Sequence, residues 1–278
     1  MKHALSFFLK FAPLLFCVTT PLIAMRLPPF EKSFYPVVYA KNDNGEIFTD
    51  LYNSYVNDFT LSEEYLIPKI IHFVWLGSPL PSGSQKLVDT WKQFHPEWIV
   101  KVWNDEDVKS FNLENQQAYD AAKNYGEKSD IFRYEMLYRH GGVYVDTDFE
   151  CLKPFDELHR SCGFYTGIQA CNSCVLNGMI GSRPGHPILK ACIDNISPGP
   201  GDQDYERIMT YTGPYHFTKM ILSYLESENP EKIVCLPPSM LYPFPGAERF
   251  KMTDQEKIKR KYVRKESLAI HYWWSSWK

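Results

Sequence analysis

Apolar runs of strand length alternate with stretches of helical periodicity through the middle of this 278-residue chain. The pattern predicts strands at 69–75, 98–103 and 143–145, with helices at 84–94 and 115–139 between them. Strands that alternate with helices form an α/β domain with a largely parallel sheet. Ligands of such sheets bind at the carboxyl ends of the strands. We therefore expect the functional residues just after the strands.

The pattern is looser in the second half of the chain. Short strands are predicted at 163–165 and 175–180, and helices at 186–196 and 214–226. The segment 249–265 holds eight basic and two acidic residues, a local charge of +6. Such a run is typical of a solvated, mobile loop, and the alternatives are a lid over a phosphorylated ligand or a contact with anionic lipid.

The N-terminal part of the chain is different in character. Residues 1–25 resemble a signal peptide or membrane anchor, although the uncharged run at 11–24 is shorter than the roughly 20 residues of a spanning helix. We expect 26–66 to be an irregular extension packed on a main domain at 67–278. The protein is then expected in the secretory pathway or at a membrane, with a cytosolic or secreted effector as the alternative.

Composition excludes some classes of protein. The chain is 44% hydrophobic and 23% charged, which is ordinary for a globular domain and excludes a disordered or fibrous one. A net charge of −3 gives no general attraction for nucleic acid, so no nucleic-acid partner is expected. Six cysteines follow residue 25, and their even number allows disulfides or buried free thiols. Cys171 and Cys174 have the spacing of zinc ligands, but no second pair completes a site.

Four charged residues form the strongest chemical pattern. Asp146 and Asp148 follow the third predicted strand, where residues two apart point the same way, so their carboxylates should lie side by side. Oxygen ligands of this kind suit Mg²⁺ or Mn²⁺, which bridge to phosphates. Asp130 and Arg133 share one helix face and can bind hydroxyls or phosphate. The alternative is an acidic turn beside a surface ion pair.

Together, these motifs are similar to a known family. Residues 67–77, 129–134 and 141–148 resemble the DXD-containing sugar-binding glycosyltransferases, and the resemblance is thinner at 177–187, 211–214 and 271–277. That family includes yeast-type initiating α-1,6-mannosyltransferases and bacterial capsule glycosyltransferases, and the glucosylating clostridial toxins share its catalytic core. Residues 1–66 lie outside the resemblance.

The resemblance implies a fold, a donor and a metal. The fold would be an α/β domain of GT-A type, which binds a nucleotide sugar and has a mostly parallel central sheet flanked by helices. The activity would be transfer of a hexose from a UDP- or GDP-sugar, with retention of configuration, to a glycan, lipid or protein acceptor. The metal would be Mn²⁺ (or Mg²⁺). Membrane association would come from the N-terminal segment.

The resemblance also implies which residues bind the donor. Trp75 matches the aromatic residue that stacks on the donor base, and the alternative is a core tryptophan at a strand end. Tyr144 belongs to the DXD motif and is a further candidate for donor binding. Asp130 and Arg133 match the pair that grips the donor sugar and are counted as catalytic.

A second group of residues would face the diphosphate. Asp146 matches the first DXD carboxylate, which contacts ribose and sugar, and Asp148 matches the second, which ligates the metal. His271 lies where many relatives carry a histidine near the metal, and the alternative is an ordinary buried histidine. Ser275 and Trp277 resemble the Ser-x-Trp element that closes over the diphosphate, and the alternative is packing of a C-terminal tail.

Two other functions fit parts of the pattern. Phosphatases of the HAD type also carry Asp-x-Asp after an apolar strand, but they have Thr or Val where this chain has Glu150, and their motif lies near the start of the domain. A non-catalytic glycan-binding module would use the aromatic residues, but it has no need of the set formed by Asp130, Arg133 and the DXD carboxylates.

Overall fold

The computed structural model describes residues 25–34, 43–169, 174–197 and 205–274. Its eight strands are β1 (Ile70–Val74), β2 (Ile99–Trp103), β3 (Gly142–Val145), β4 (Phe149–Cys151), β5 (Phe164–Ile168), β6 (Val175–Ser182), β7 (Val234–Leu236) and β8 (Ala269–His271). Its helices are α1 (Asp43–Asn57), α2 (Ser82–Phe94), α3 (Asp105–Lys109), α4 (Gln116–Ala121), α5 (Tyr125–His140), α6 (Asp156–Ser161), α7 (Pro187–Asp194), α8 (Tyr205–Tyr211), α9 (Pro214–Leu225), α10 (Pro238–Leu241) and α11 (Gln255–Tyr262). Two short 3₁₀ turns lie at Phe30–Ser33 and Gly246–Glu248.

Six strands form the central sheet, in the order β2-β1-β3-β6-β5-β7. β1 pairs in parallel with β2 and β3, and β5 pairs in parallel with β7. β6 is antiparallel to both of its neighbours, so it runs against the other five strands. The sheet is thus mostly parallel and is flanked by helices, which confirms the fold class predicted from the sequence.

The long helical stretch predicted at 115–139 is two helices, α4 and α5. The side chain of Asn124 accepts a hydrogen bond from the backbone N–H of Gly126 and so caps the start of α5. Gly141 ends α5 with a φ of +62°, in the left-handed region that glycine adopts readily. Ten buried residues lie along α5, including Asp130 and Arg133, so this helix brings charged side chains into the interior.

The segment 26–66 was expected to be irregular, and that expectation was wrong. α1 spans fifteen of its residues, and Phe48, Tyr52 and Tyr55 on this helix are fully buried in the main hydrophobic core. The hydroxyl of Tyr55 lies 2.7 Å from the hydroxyl of Ser161 on α6. Three aromatic side chains on one face supply enough apolar area to hold the helix against the domain.

The basic segment 249–265 is likewise structured and is not simply a mobile loop. Asp254 caps α11 by accepting a hydrogen bond from the backbone N–H of Lys257 at 3.1 Å. Ile258 and Tyr262 on the inner face of α11 are buried in a small second core, beside Phe244. The basic side chains therefore lie on the outer part of an ordered amphipathic helix.

A small two-stranded sheet positions the end of the chain. β4 and β8 are antiparallel, and Phe149 pairs with His271. β4 begins directly after the Asp146–Asp148 turn, so this pairing places His271 beside the two carboxylates. The second sheet thus brings together His271 and the DXD carboxylates, which are more than a hundred positions apart in the sequence.

The described residues do not include either end of the chain, and they include only some of the cysteines. Residues 1–24, Ser275, Trp277 and Cys171 lie outside the described residues. Within the described ranges, no helix is both long and apolar enough to cross a membrane. The cysteines there are buried free thiols: Cys151, Cys162, Cys174, Cys192 and Cys235.

Candidate active site

A cavity of about 770 Å³ opens at the carboxyl ends of β1 and β3. This is the edge where an α/β sheet binds its ligands. Most of the site residues predicted from the sequence line it together: Trp75, Asp130, Arg133, Tyr144, Asp146, Asp148 and His271. The fold therefore gathers into one cavity a set of residues that spans some two hundred positions of the chain.

Asp130 lines the cavity and lies in a closed hydrogen-bond network. Its Oδ1 accepts from the Asn177 side chain at 2.9 Å and lies 3.0 Å from the Arg133 guanidinium. Its Oδ2 accepts from the Thr212 hydroxyl at 3.2 Å. These partners come from β6 and from the end of α8, so two distant segments fix the carboxylate that α5 supplies. We call Asp130, Arg133, Asn177 and Thr212 the sugar cluster, after the donor sugar that the family resemblance predicts for Asp130 and Arg133.

Arg133 connects this cluster to the DXD turn. Its guanidinium donates to the backbone carbonyl of Asn177 at 2.7 Å and lies 3.5 Å from Asp146 Oδ1. It also stacks over the ring of Tyr144 at 4.2 Å. The planar fork of arginine allows all these contacts at once, which lysine cannot reproduce. The ion pair between Arg133 and Asp130 is buried, which contradicts the alternative interpretation of a surface ion pair.

Burial and charge shift the pKa values of this network. Burial raises the pKa of Asp130 to about 6, although the Arg133 charge opposes the shift. Burial likewise raises the pKa of Asp146, against the effect of Arg133. The nearby anions raise the pKa of Arg133 despite its burial, so the guanidinium stays charged. The charged guanidinium of Arg133 therefore faces Asp130 and Asp146, two carboxyl groups that are more easily protonated than usual.

Next to Arg133, on the same cavity wall, Asp146, Asp148 and His271 form a group that we call the metal cluster. Each offers one ligand atom, and these atoms all lie within 4.8 Å of one another. The closest pair is His271 Nε2 and Asp148 Oδ1, at 2.7 Å, and His271 Nε2 lies 4.0 Å from Asp146 Oδ2. Asp146–Asp148 forms a turn after β3 and is not part of the strand, so the turn, not strand alternation, sets their spacing.

The C-terminal tail holds the second carboxylate in place. The backbone N–H of Trp274 donates to Asp148 Oδ2 at 2.7 Å. His271 and this N–H lower the pKa of Asp148 in spite of its burial, so it is ionised at neutral pH. Trp273 takes a left-handed φ of +59°, and its ring N–H donates to the carbonyl of Phe244. This hydrogen bond stabilises the tight turn that brings the tail onto Asp148.

The donor set fits a divalent cation. Two carboxylate oxygens and one imidazole nitrogen lie within 4.8 Å of one another, and oxygen and nitrogen ligands of this kind can bind a divalent cation. The short contact between His271 and Asp148 marks a place where a cation can replace a shared proton. Among the described residues, this is the group that could hold a metal ion.

The two aromatic candidates differ in their position. Trp75 is half-buried, follows β1 on the cavity wall, and donates through its ring N–H to Ser78. It is therefore not a core tryptophan and is free to stack on a ligand. Tyr144 is buried on β3, and its hydroxyl donates to Asp146 Oδ1 at 2.6 Å. Its place beneath Arg133 makes it a positioning residue for Asp146.

Sequence reasoning missed one residue completely. Tyr242 lines the cavity and is only 2% exposed, and its buried hydroxyl makes no hydrogen bond of normal geometry, although the backbone of Met179 lies close to it. A Cβ added at Gly178 would lie 2.6 Å from Asp146 Oδ2 and 3.5 Å from this hydroxyl, so glycine keeps the space between them open. No motif pointed to Tyr242. Asn177 and Thr212, in contrast, lie in the thinner motifs at 177–187 and 211–214.

The fold and the cavity define a class of protein: a glycosyltransferase whose DXD turn follows a strand of a mostly parallel sheet. The family described as glycosyltransferase sugar-binding region containing DXD motif matches residues 81–164. This match confirms the family resemblance predicted from the motifs and classes the chain as a glycosyltransferase.

Curated relatives agree with this class. An uncharacterised glycosyltransferase of Acanthamoeba polyphaga mimivirus is 28% identical over 64% of this chain and 74% of its own length. Inositol phosphoceramide mannosyltransferase 2 of Schizosaccharomyces pombe is 30% identical over 55% of this chain and 46% of its own length. The matched part thus spans under half of that relative. The solved PaToxG glycosyltransferase is 19% identical, covers 65% of this chain and 76% of its own, and gives a TM-score of 0.48.

Proposed function

We propose that this protein is a metal-dependent hexosyltransferase, which moves a hexose from a UDP- or GDP-sugar to an acceptor hydroxyl and retains its configuration. One observation carries the proposal: the sugar cluster and the metal cluster line the same cavity side by side, and Arg133 contacts Asp130 and Asp146 alike. That spacing of functions suits a donor whose sugar and diphosphate need different partners.

The sugar cluster would bind and orient the transferred hexose. The Asp130 carboxylate accepts hydrogen bonds from hydroxyls, and Arg133 stabilises negative charge beside it. The bond from the anomeric carbon to phosphate oxygen breaks, and a bond to the acceptor oxygen forms. The acceptor proton leaves with the released diphosphate. The fixed geometry of the sugar cluster limits the cost of positioning the sugar for this exchange.

The metal cluster would hold the diphosphate end of the donor. Asp148 and His271 would be the main ligands, with Asp146 at their side and Mn²⁺ (or Mg²⁺) as the ion. When bound, the ion offsets the charge that develops on the leaving diphosphate. Trp75 would stack on the base, and Ser275 and Trp277 would close over the phosphates.

The acceptor class is proposed from the relatives. The yeast relatives that match this chain are named as inositol phosphoceramide mannosyltransferases, which favours mannose as the sugar and a lipid headgroup as the acceptor. A glycan or a protein is the alternative acceptor. We also propose that residues 1–25 are a signal or an anchor, and that 67–278 is the catalytic domain. Mass spectrometry of the mature protein should find an N-terminus near Met25 if the segment is cleaved.

The test is a donor screen of the full chain. With Mn²⁺ present, one UDP- or GDP-hexose should be hydrolysed or transferred well above the others, and the Asp148→Ala variant should be inactive on the same donor. Chelation of the metal should abolish turnover. Phosphate release from sugar phosphates without any nucleotide sugar turnover would favour the phosphatase reading, and glycan binding without turnover would favour the binding module.

A further inference from the structure

The charge of this molecule is unevenly distributed. The whole chain carries −3, whereas residues 249–265 alone carry +6, so the rest of the chain carries −9. Residues 249–265 thus differ in sign from the net charge of the rest of the chain. Such a concentration of basic residues is typical of a surface that binds an anionic partner.

The basic side chains of this segment lie on an ordered, outward face. Three exposed cations share the face of α11 that points away from the domain, since Arg260 and Lys261 follow Lys257 by three and four residues. The buried Ile258 and Tyr262 lie on the other face. Lys259, in contrast, turns toward the body of the domain and pairs with Glu150 and Glu256. We call Lys257, Arg260, Lys261, Lys265 and Phe250 the basic surface.

An exposed aromatic residue accompanies these charges. Phe250 is 77% exposed, the highest value among the large hydrophobic residues that the structure describes. The guanidinium of Arg249 stacks on its ring at 4.3 Å. Exposed aromatic and basic side chains side by side are typical of segments that lie in the interface of a membrane.

The basic surface adjoins the mouth of the active-site cavity. Pro245, Gly246, Ala247 and Arg249 line the cavity, and Phe250 follows Arg249 directly in the chain. A surface that bound Phe250 and α11 would therefore lie next to the opening. An acceptor headgroup at the surface of a bilayer would be presented to the cavity without leaving its membrane.

The start of the described chain lies near the other end of the basic surface. The Lys153 ammonium donates to the carbonyl of Lys265, and Arg26 lies within electrostatic reach of Lys153. Arg264 also donates to the carbonyls of Lys32 and Phe34. The chain that follows the apolar segment 11–24 thus enters the domain beside these cations, as expected for a segment close to a membrane.

We propose that the basic surface docks on an anionic lipid bilayer, with α11 in contact with the headgroups and Phe250 inserted between them. The exposed Phe250 ring beside the cations, and the entry of the chain from the apolar segment 11–24, commit the surface to a phospholipid bilayer rather than to the acidic surface of a second copy. Only the idea that docking presents the acceptor rests on the proposed function; the docking itself does not.

Vesicle binding of the full chain tests this proposal. The wild type should bind phosphatidylcholine vesicles that contain phosphatidylserine more tightly than pure phosphatidylcholine vesicles, and added salt should reduce the difference. The triple variant Lys257→Gln, Arg260→Gln, Lys261→Gln should lose on the order of a hundredfold in affinity for the anionic vesicles. Phe250→Ser should weaken binding to both kinds of vesicle by about tenfold or more.

The controls separate docking from folding and from catalysis. Lys109→Gln, Lys123→Gln and Lys219→Gln remove the same charge from exposed lysines outside the basic surface, and this triple variant should bind as the wild type does. Asp148→Ala should also bind normally, because docking needs no turnover. Equal binding of the wild type to both vesicles, or equal losses in the two triple variants, would overturn the proposal while leaving the proposed transferase activity intact.

Discussion

The sugar cluster and the metal cluster lie in one cavity but are built differently. In the sugar cluster, Asp130 is 9% exposed at its side chain and both of its oxygens have partners within the protein. In the metal cluster, Asp146 is 30% exposed at its side chain, and two carboxylates and an imidazole converge with one short contact among them. The first is complete without a ligand, whereas the second brings together like charges that a cation would stabilise.

This difference explains how one cavity can serve a two-part donor. A satisfied network is rigid, so it suits the transferred sugar, whose orientation must be fixed before reaction. A group of converging ligands suits an ion that arrives with the diphosphate. Arg133 links the two because it lies 3.0 Å from Asp130 and 3.5 Å from Asp146.

The largest expected effect comes from the metal cluster. Asp148→Ala should lower turnover by about a thousandfold or more, because a bound cation contributes several kcal/mol to stabilising the leaving group. Because Asp148 lies at a turn beside the cavity, the free energy of unfolding of the variant should fall by only about 1–2 kcal/mol. Steady-state rates and urea unfolding check both numbers, and a variant that keeps near-normal turnover would contradict the metal assignment.

Substitution of Arg133 should cost more stability than substitution of Asp148. Arg133→Met leaves Asp130 and Asp146 without their buried counterion, which should cost about 3–5 kcal/mol of unfolding free energy. Arg133→Lys keeps the charge and should recover part of that loss, but little of the activity, because it lacks the fork. Equal stability of the Met and Lys variants in urea would show that the charge does not hold the clusters together.

The pH dependence should also separate the two clusters. Asp130, with its pKa raised by burial to about 6, gains a proton as pH falls through 6, so turnover should drop about tenfold per pH unit below that value. The native protein binds this proton more tightly than the unfolded chain does, because the ordinary pKa of Asp130 is 3.8. Protonation of Asp130 therefore raises the free energy of unfolding over the same pH range in which activity falls. Asp148, with its lowered pKa, loses its contribution to stability only at lower pH. A flat rate profile between pH 7 and 5, measured with saturating metal, would contradict this role of Asp130.

The smallest effect is expected at Tyr242, whose hydroxyl lies near Asp146 across Gly178. Tyr242→Phe removes a buried hydroxyl that makes no hydrogen bond of normal geometry, so stability should stay level or rise by up to about 1 kcal/mol. If this hydroxyl binds the donor, kcat/KM should fall about tenfold. Unchanged kinetics would assign Tyr242 to packing alone.

Local sequence patterns predicted much of the fold. The strands around 70–74 and 99–103 and the end of α5 at Gly141 follow from apolar runs and from glycine, which depend on nearby residues alone. α1 was missed because its three buried aromatic residues become a stabilising face only once the domain is there to receive them. α11 was read as a loop because its charges hid the two apolar residues, Ile258 and Tyr262, that anchor it.

The site was predicted unevenly for the same reason. Asp130 and Arg133 are three residues apart on one helix, so their pairing could be read from spacing. The neighbourhood of His271 and Asp148 depends on the pairing of β4 with β8, and only the family resemblance suggested it. Tyr242 left no signal in the sequence, because its position near Asp146 depends on the open space that Gly178 leaves on β6.

The central claim, that the two clusters have separate tasks, is tested most directly by calorimetric titration of UDP and GDP with Mn²⁺ into two variants. Asp130→Asn should bind the nucleoside diphosphate nearly as the wild type does, because that product carries no sugar, while its transfer rate falls by about one to two decades. Asp148→Asn should lose affinity for the diphosphate itself. If Asp130→Asn loses nucleotide affinity as severely as Asp148→Asn, the division of the cavity into sugar and metal clusters is wrong.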